Sequence, residues 1–290
     1  MGELAALGTA VLWAASSTMA GSQVGRMPAA LISAIQLLAA TVLLWSVTAL
    51  LLATGTIDGT SLPRGLALMA TALIGPGLGD TLYFAGIRVL GVARAFPVAM
   101  AASPLFTIAL AALLVGEAIT ATVLLGAVLT IGGIVLIAAR RQESKVTGRS
   151  SPMGLWIVLL AALLWAASTV LLRAVAEGVS PPVVSSVRMP AAAVFALLLA
   201  QGSGRLHAPR HYGGRSLVVL GIAGLLGVGV GSVLYVVAIQ QAGAARTAIL
   251  SSTAPLFALP LAAILLKERI TPRMIAGTLM TMVGIWLLTL

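Results

Sequence analysis

Polar positions interrupt the chain at a regular spacing. Between them run apolar stretches of about 17 to 25 residues, the length that carries an α-helix across a bilayer. The pattern predicts ten membrane-spanning helices at 4–21, 29–53, 65–87, 94–115, 120–139, 153–172, 183–201, 216–239, 245–266 and 272–290. A membrane β-barrel would alternate polarity over about ten residues, and no such alternation is present. The polar stretch that begins Arg140-Arg141-Gln142-Glu143-Ser144-Lys145 reads as a linker over 140–152, between units at 1–139 and 153–290. The first span lacks a basic lead-in, carries Glu3, and recurs at 162–170, so it reads as a retained helix and not a signal peptide.

The second unit repeats the first. Leu12-Trp13-Ala14-Ala15-Ser16 returns as Leu164-Trp165-Ala166-Ala167-Ser168, 152 positions later. Gly79, Leu82, Tyr83 and Arg94 return as Gly231, Leu234, Tyr235 and Arg246. Pro104-Leu105-Phe106 returns as Pro255-Leu256-Phe257, and Glu117-x-Ile119-Thr120 as Glu268-x-Ile270-Thr271, both 151 positions later. Five spans is an odd number, so the second copy starts from the opposite face. The expected fold is an all-α integral membrane protein of two inverted-topology five-helix repeats, with a pathway between them.

Composition sharpens this picture. Hydrophobic residues make up 60% and charged ones 8%, against about 25% charged in soluble chains. The absence of cysteine excludes disulfides and thiolate metal sites. A net charge of +10 would raise nucleic acid as a partner in a soluble protein. Here the basic residues lie mostly between spans, where topology and lipid headgroups account for them. Arg26, Arg88, Arg94, Arg140, Arg141, Lys145, Arg149, Arg205, Arg210, Arg215, Lys267, Arg269 and Arg273 collect on one face, and Arg64, Arg173 and Arg246 on the other. The positive-inside rule then puts both termini outside.

Small residues such as Gly126, Gly132, Gly133, Gly277 and Gly284 predict close helix packing. Gly75-Pro76-Gly77-Leu78-Gly79 in the third span and Gly227-Val228-Gly229-Val230-Gly231 in the eighth are matched interruptions. Paired interruptions of this kind mark transporter sites. Gly75, Pro76, Gly79, Pro104, Gly227, Gly231 and Pro255 are therefore the candidate breaks and hinges. Tight packing by glycine is the competing reading.

Two charges fall inside spans, where a charge faces a cavity or a partner. Arg188, whose repeat counterpart is Gln36, suits a carboxylate or phosphate. Asp80, whose counterpart is Ser232, is a candidate proton carrier, a partner for a substrate ammonium, or half of an ion pair with Arg188 or Arg88. Trp13, Trp165, Tyr83 and Tyr235 have the make-up of pocket walls, with core packing as the alternative. Ser16, Ser17, Ser168 and Thr169 offer hydroxyls to a substrate or to their own helices. Ser251, Ser252 and Thr253 precede Pro255 and are expected to line a kink. Glu117 and Glu268, at helix ends, read as structural. Arg94 and Arg246 open helices and are candidate guides for anions. His207 and His211, in a polar loop, do not make a metal site, and no cofactor is implied.

The repeats resemble the EamA domain of the drug/metabolite transporter superfamily. Trp13 and Trp165 in small-residue first helices carry this resemblance. So do Pro104 and Pro255, Gly116-Glu117-x-Ile119-Thr120, Lys267-Glu268-Arg269-Ile270-Thr271, and the glycine-bearing last helices. The resemblance implies a ten-helix secondary transporter, commonly an exporter of amino acids or other small metabolites, with a central cavity and both termini inside. On orientation it opposes the charge count. Half-length relatives, the small multidrug resistance proteins, use a first-helix Glu for proton coupling; Thr9 to Ala20 holds no acid, so that mechanism does not carry over.

The resulting expectation is a monomeric carrier in the inner cell membrane. It moves a small polar metabolite by alternating access, with protons as a candidate coupling ion. A flippase for lipid or lipid-linked headgroups is the alternative. A passive channel, a structural membrane protein and an intramembrane enzyme stand further off; for the last there is no HExxH, nucleophile–base pair or Gly-x-Ser-x-Gly elbow.

Overall fold

The computed structural model describes residues 1–115, 121–138, 152–202 and 212–288. Glu117, His207, His211 and residues 140–151 of the expected linker lie outside them, as does the side chain of Arg246. The described residues form helices and no strand: α1 Gly2–Gly21, α2 Ala29–Ala53, α3 Leu62–Leu90, α4 Val92–Val115, α5 Ala121–Ala138, α6 Pro152–Val175, α7 Pro181–Gly202, α8 over 214–251, α9 Ala254–Leu266 and α10 Pro272–Leu288. Among them seven are long and apolar enough to cross a membrane unaided, and shorter apolar helices complete the set. The protein is a multi-span membrane protein.

The sequence explains the ends. Gly91, at φ 77°, separates α3 from α4 in a conformation that favours glycine. The hydroxyl of Thr271 accepts the Met274 amide at 3.3 Å and caps α10, with Pro272 in its first turn.

One boundary differs from expectation. The helix expected to stop at 239 and restart at 245 runs unbroken to Ser251. The interruption lies instead at Ser252 and Thr253, just before α9. A glycine within a membrane helix need not end it, and Gly243 does not. Pro255, expected at a kink, sits in the first turn of α9, where its missing N–H breaks no bond. Its counterpart Pro104 lies inside α4, which also runs through Pro97.

Corresponding helices of the two repeats pack against each other, α2 on α7 and α5 on α10. On α5 and α10, Gly133 meets Gly277 and Thr281 while Gly284 meets Gly126 and Thr130. Low numbers on one helix meet high numbers on the other, so the two run antiparallel. A methyl at Gly133 would lie 2.6 Å from the Gly277 carbonyl, so only glycine permits this approach. The cross-contacts also match: α1 lies against α8 and α9, and α6 against α3 and α4. The chain is thus an inverted repeat whose halves interlock around a centre.

Pro190 interrupts α7 without ending it. It cannot donate to the carbonyl of Ser186, one turn earlier. Trp45 of α2 supplies the donor instead, its indole N–H 2.9 Å from that oxygen.

Candidate functional site: a cavity between the repeats

The matched glycine stretches do not break their helices. Leu73–Gly79 in α3 and Gly224–Val230 in α8 are π-helical turns, wider than the α-helix on either side. Just before each turn, a serine from the other repeat donates to a backbone carbonyl. Ser168 Oγ donates to the Thr71 oxygen at 2.8 Å, and Ser16 Oγ donates to the Ala223 oxygen at 2.8 Å. The glycines serve close approach: Gly75 faces Ser168, Gly227 faces Ser16, Gly79 faces Trp165 and Gly231 faces Trp13.

Between these turns lies a cavity of about 540 Å³. Trp13, Ser17, Gln36, Asp80, Tyr83, Trp165, Ser168, Arg188, Tyr235, Ser251 and Ser252 all line it. Gly75, Pro76, Pro104 and Gly227 line it too; Gly79 and Gly231 stand behind the tryptophans, and Pro255 lies outside the lining. Arg94 is buried away from the cavity, its Nε 3.5 Å from the Ile137 carbonyl, so it does not face a ligand there.

The walls are two copies of one aromatic pair. Trp13 and Tyr235 have ring centroids 4.9 Å apart, and Trp165 and Tyr83 5.1 Å apart. Tyr83 hydrogen-bonds Ser17, and Tyr235 bonds Thr169, the counterpart of Ser17. Thr169 also donates to its own helix, at the Trp165 carbonyl, 2.9 Å away.

The charges break the symmetry. Asp80 Oδ1 accepts the Trp165 indole N–H at 2.8 Å. Its counterpart Ser232 donates to its own helix at Val228, 2.6 Å away. Trp13 consequently has no acceptor for its N–H among the described residues. Arg188 donates through Nε to Thr71 Oγ1 at 3.0 Å and through Nη2 to Ser168 Oγ at 3.1 Å. Its counterpart Gln36 brings Oε1 within 3.2 Å of Ser16 Oγ. Asp80 and Arg188 feel each other's charge but make no direct ion pair among the described residues. Two opposite charges therefore stand in one cavity, each with hydrogen-bonding capacity left over.

The lining reaches Arg173 near the end of α6 and Ile239 on α8, toward the membrane face where the chain begins. At the opposite face α1, α4 and α9 pack together, with Gly21 against Val92. Glu268, between α9 and α10, accepts the first amides of α4 there, Val92 at 2.9 Å and Ala93 at 2.8 Å.

Sequence reasoning missed Thr71, Phe84, Phe96, Met100, Thr107 and Arg173. The five other than Thr71 line the cavity. Their spans were recognised, but which helix face turns inward is not written in uniformly apolar stretches. Thr71 does have a signal: its counterpart is Ala223, just as Arg188 has Gln36.

The profile of the EamA-like transporter family matches residues 1–139 and 152–290. A protein of Archaeoglobus fulgidus described as an uncharacterized transporter is 28% identical over 229 residues, 79% of this chain and 77% of that one. An uncharacterized protein of Pseudomonas aeruginosa is 30% identical over 182 residues, 63% of this chain and 60% of that one. A solved crystal structure shares the fold, with a TM-score of 0.70 at 20% identity, covering 99% of this chain and 95% of that one.

Proposed function

The chain belongs to the EamA-like transporter family, and from that premise we propose that it is a secondary carrier of a small zwitterionic metabolite, an amino acid first among them. The carrying observation is the pairing of Asp80 and Arg188, unbridged, in one aromatic-walled cavity between the repeats. An acid and a base held apart match an ammonium and a carboxylate on one molecule. The four aromatic rings offer an apolar wall to the rest of it. Family and relatives point to transport and not to an enzyme.

In this reading the carrier works by alternating access, one repeat moving against the other around the cavity. Asp80 is the group that would exchange a proton with the substrate cycle. The carrier acts as a monomer in the inner cell membrane and exports its substrate. A second reading, a flippase for lipid-linked headgroups, draws on a cleft of about 230 Å³ at Ser252, Thr253 and Trp286 that shares Ser252 with the central cavity.

Counterflow in proteoliposomes tests the proposal. Neutral amino acids are screened with and without a pH gradient, in wild type, Asp80→Asn and Arg188→Gln. Saturable counterflow lost in both variants supports the carrier. Loss of pH dependence alone in Asp80→Asn assigns the proton to that residue. Folded protein that moves no soluble compound but flips lipid overturns the proposal in favour of the second reading.

A further inference from the structure

Two nearly buried hydroxyls hold Arg188. Thr71, 2% exposed, is absent from the cavity lining, and Ser168, which lines it, is only 3% exposed. Each hydroxyl has one proton, and each spends it on a backbone carbonyl. Thr71 Oγ1 donates to Leu68 at 2.7 Å, and Ser168 Oγ donates to the Thr71 oxygen at 2.8 Å. Both therefore turn a lone pair outward, and Arg188 takes both, through Nε at 3.0 Å and Nη2 at 3.1 Å.

Nε and Nη2 share one edge of the guanidinium plane. With that edge held, three of the five N–H groups have no partner among the described residues: two on Nη1 and one on Nη2. One from each Nη lies along the end of the fork, so that end offers an anion two parallel donors.

The repeat provides an internal control. The first repeat keeps the serine, Ser16, on the matching Ala223 carbonyl, so the carbonyl bond is common to both halves. It has Ala223 in place of Thr71 and Gln36 in place of Arg188. The hydroxyl that accepts from Nε is present only in the half that has a guanidinium to hold.

We infer that Thr71 and Ser168 are positioning residues that clamp one edge of Arg188, so that the end of its guanidinium selects the carboxylate of the substrate. The clamp rests on the zwitterion reading above, and its test separates the two. Transport is measured with L-leucine and L-phenylalanine and with their amides, which keep the ammonium and lose the carboxylate. Wild type is expected to prefer acid over amide at least about tenfold. Thr71→Val and Ser168→Ala are expected to raise KM for the acids about tenfold, with kcat within about twofold, and to flatten that preference. Thr71→Ser, which keeps the hydroxyl, retains it.

A second measurement does not depend on transport. In nanodiscs with ¹⁵N-labelled arginine, the Arg188 Nε–H, identified by its loss in Arg188→Lys, is expected to exchange slowly in wild type and rapidly in Thr71→Val. Rapid exchange in wild type overturns the clamp. Slow exchange with acid preference intact in folded Thr71→Val overturns the positioning role. Slow exchange in wild type that moves neither acid nor amide overturns the zwitterion reading, and the role with it, while the clamp stands as geometry.

Discussion

Ser16 and Ser168, 152 positions apart in the chain, make the same bond in opposite repeats. Each donates at 2.8 Å to the carbonyl that opens the facing π turn, Ala223 for one and Thr71 for the other. At that depth there is no water to pair with a polar group, so the serine protons go to the backbone. The serines tie each wide turn to the facing repeat, and the two turns flank the cavity.

Replacing either serine by alanine removes one hydrogen bond between the repeats. Each variant is expected to lose about 0.5 to 1.5 kcal/mol, read as a lower thermal midpoint in nanodiscs. The two should differ in function. Ser16→Ala leaves Arg188 held by both hydroxyls and should keep wild-type discrimination between acid and amide. Equal loss of discrimination in both variants would show that the serines act through the turn alone.

Trp45 and Pro190 make a testable pair. The indole N–H serves the Ser186 carbonyl because Pro190 cannot. Trp45→Phe is expected to lower stability by about 1 kcal/mol. In a Pro190→Ala background the backbone supplies the missing N–H, and the same change should cost close to nothing. A double-mutant cycle reads the difference directly; additivity would remove this explanation of Trp45.

The two tryptophans look equivalent in sequence and are not equivalent in the fold. Trp165 donates to Asp80, whereas Trp13 has no acceptor among the described residues. Trp165→Phe leaves a buried carboxylate with one donor fewer and is expected to lower the thermal midpoint clearly. Trp13→Phe removes an N–H that has no acceptor among the described residues, so its effect should appear in substrate KM and not in stability. The opposite ranking would mean that the asymmetry at Asp80 and Ser232 does not control the site.

The architecture was largely legible in the chain because span length and internal repetition are one-dimensional signals. Gly75-Pro76-Gly77 marked the right place but not the right shape: a wide turn and a broken helix have the same composition, and the difference lies in which carbonyl Ser168 reaches. The break expected between 239 and 245 is absent: Gly243 stays helical, whereas Gly91, at positive φ, does end a helix. The repeated Trp, Ser and Tyr identified most of the cavity wall. Thr71 escaped because its part depends on Arg188, 117 positions away.

Glu268 provides the last test, at the face opposite the cavity mouth. Its two oxygens accept the Val92 and Ala93 amides, tying the α9–α10 joint of the second repeat to the start of α4 in the first. Those amides open a helix, where a carboxylate also meets the favourable end of the helix dipole. Removing the side chain should cost the closed arrangement about 1 to 2 kcal/mol. If alternating access operates, that loss shifts the population toward the form open at this face. The chain has no cysteine, so single cysteines report access without background. Ala95→Cys lies in the buried packing of α4 near this face, and Ile239→Cys lies on the cavity wall toward the other. In Glu268→Ala, maleimide labelling is expected to speed up several-fold at position 95 and slow down at 239. Glu268→Gln, which keeps the reach but loses the charge, should fall between. Faster labelling at both positions would mean that the contact holds the fold together and does not choose between its two openings.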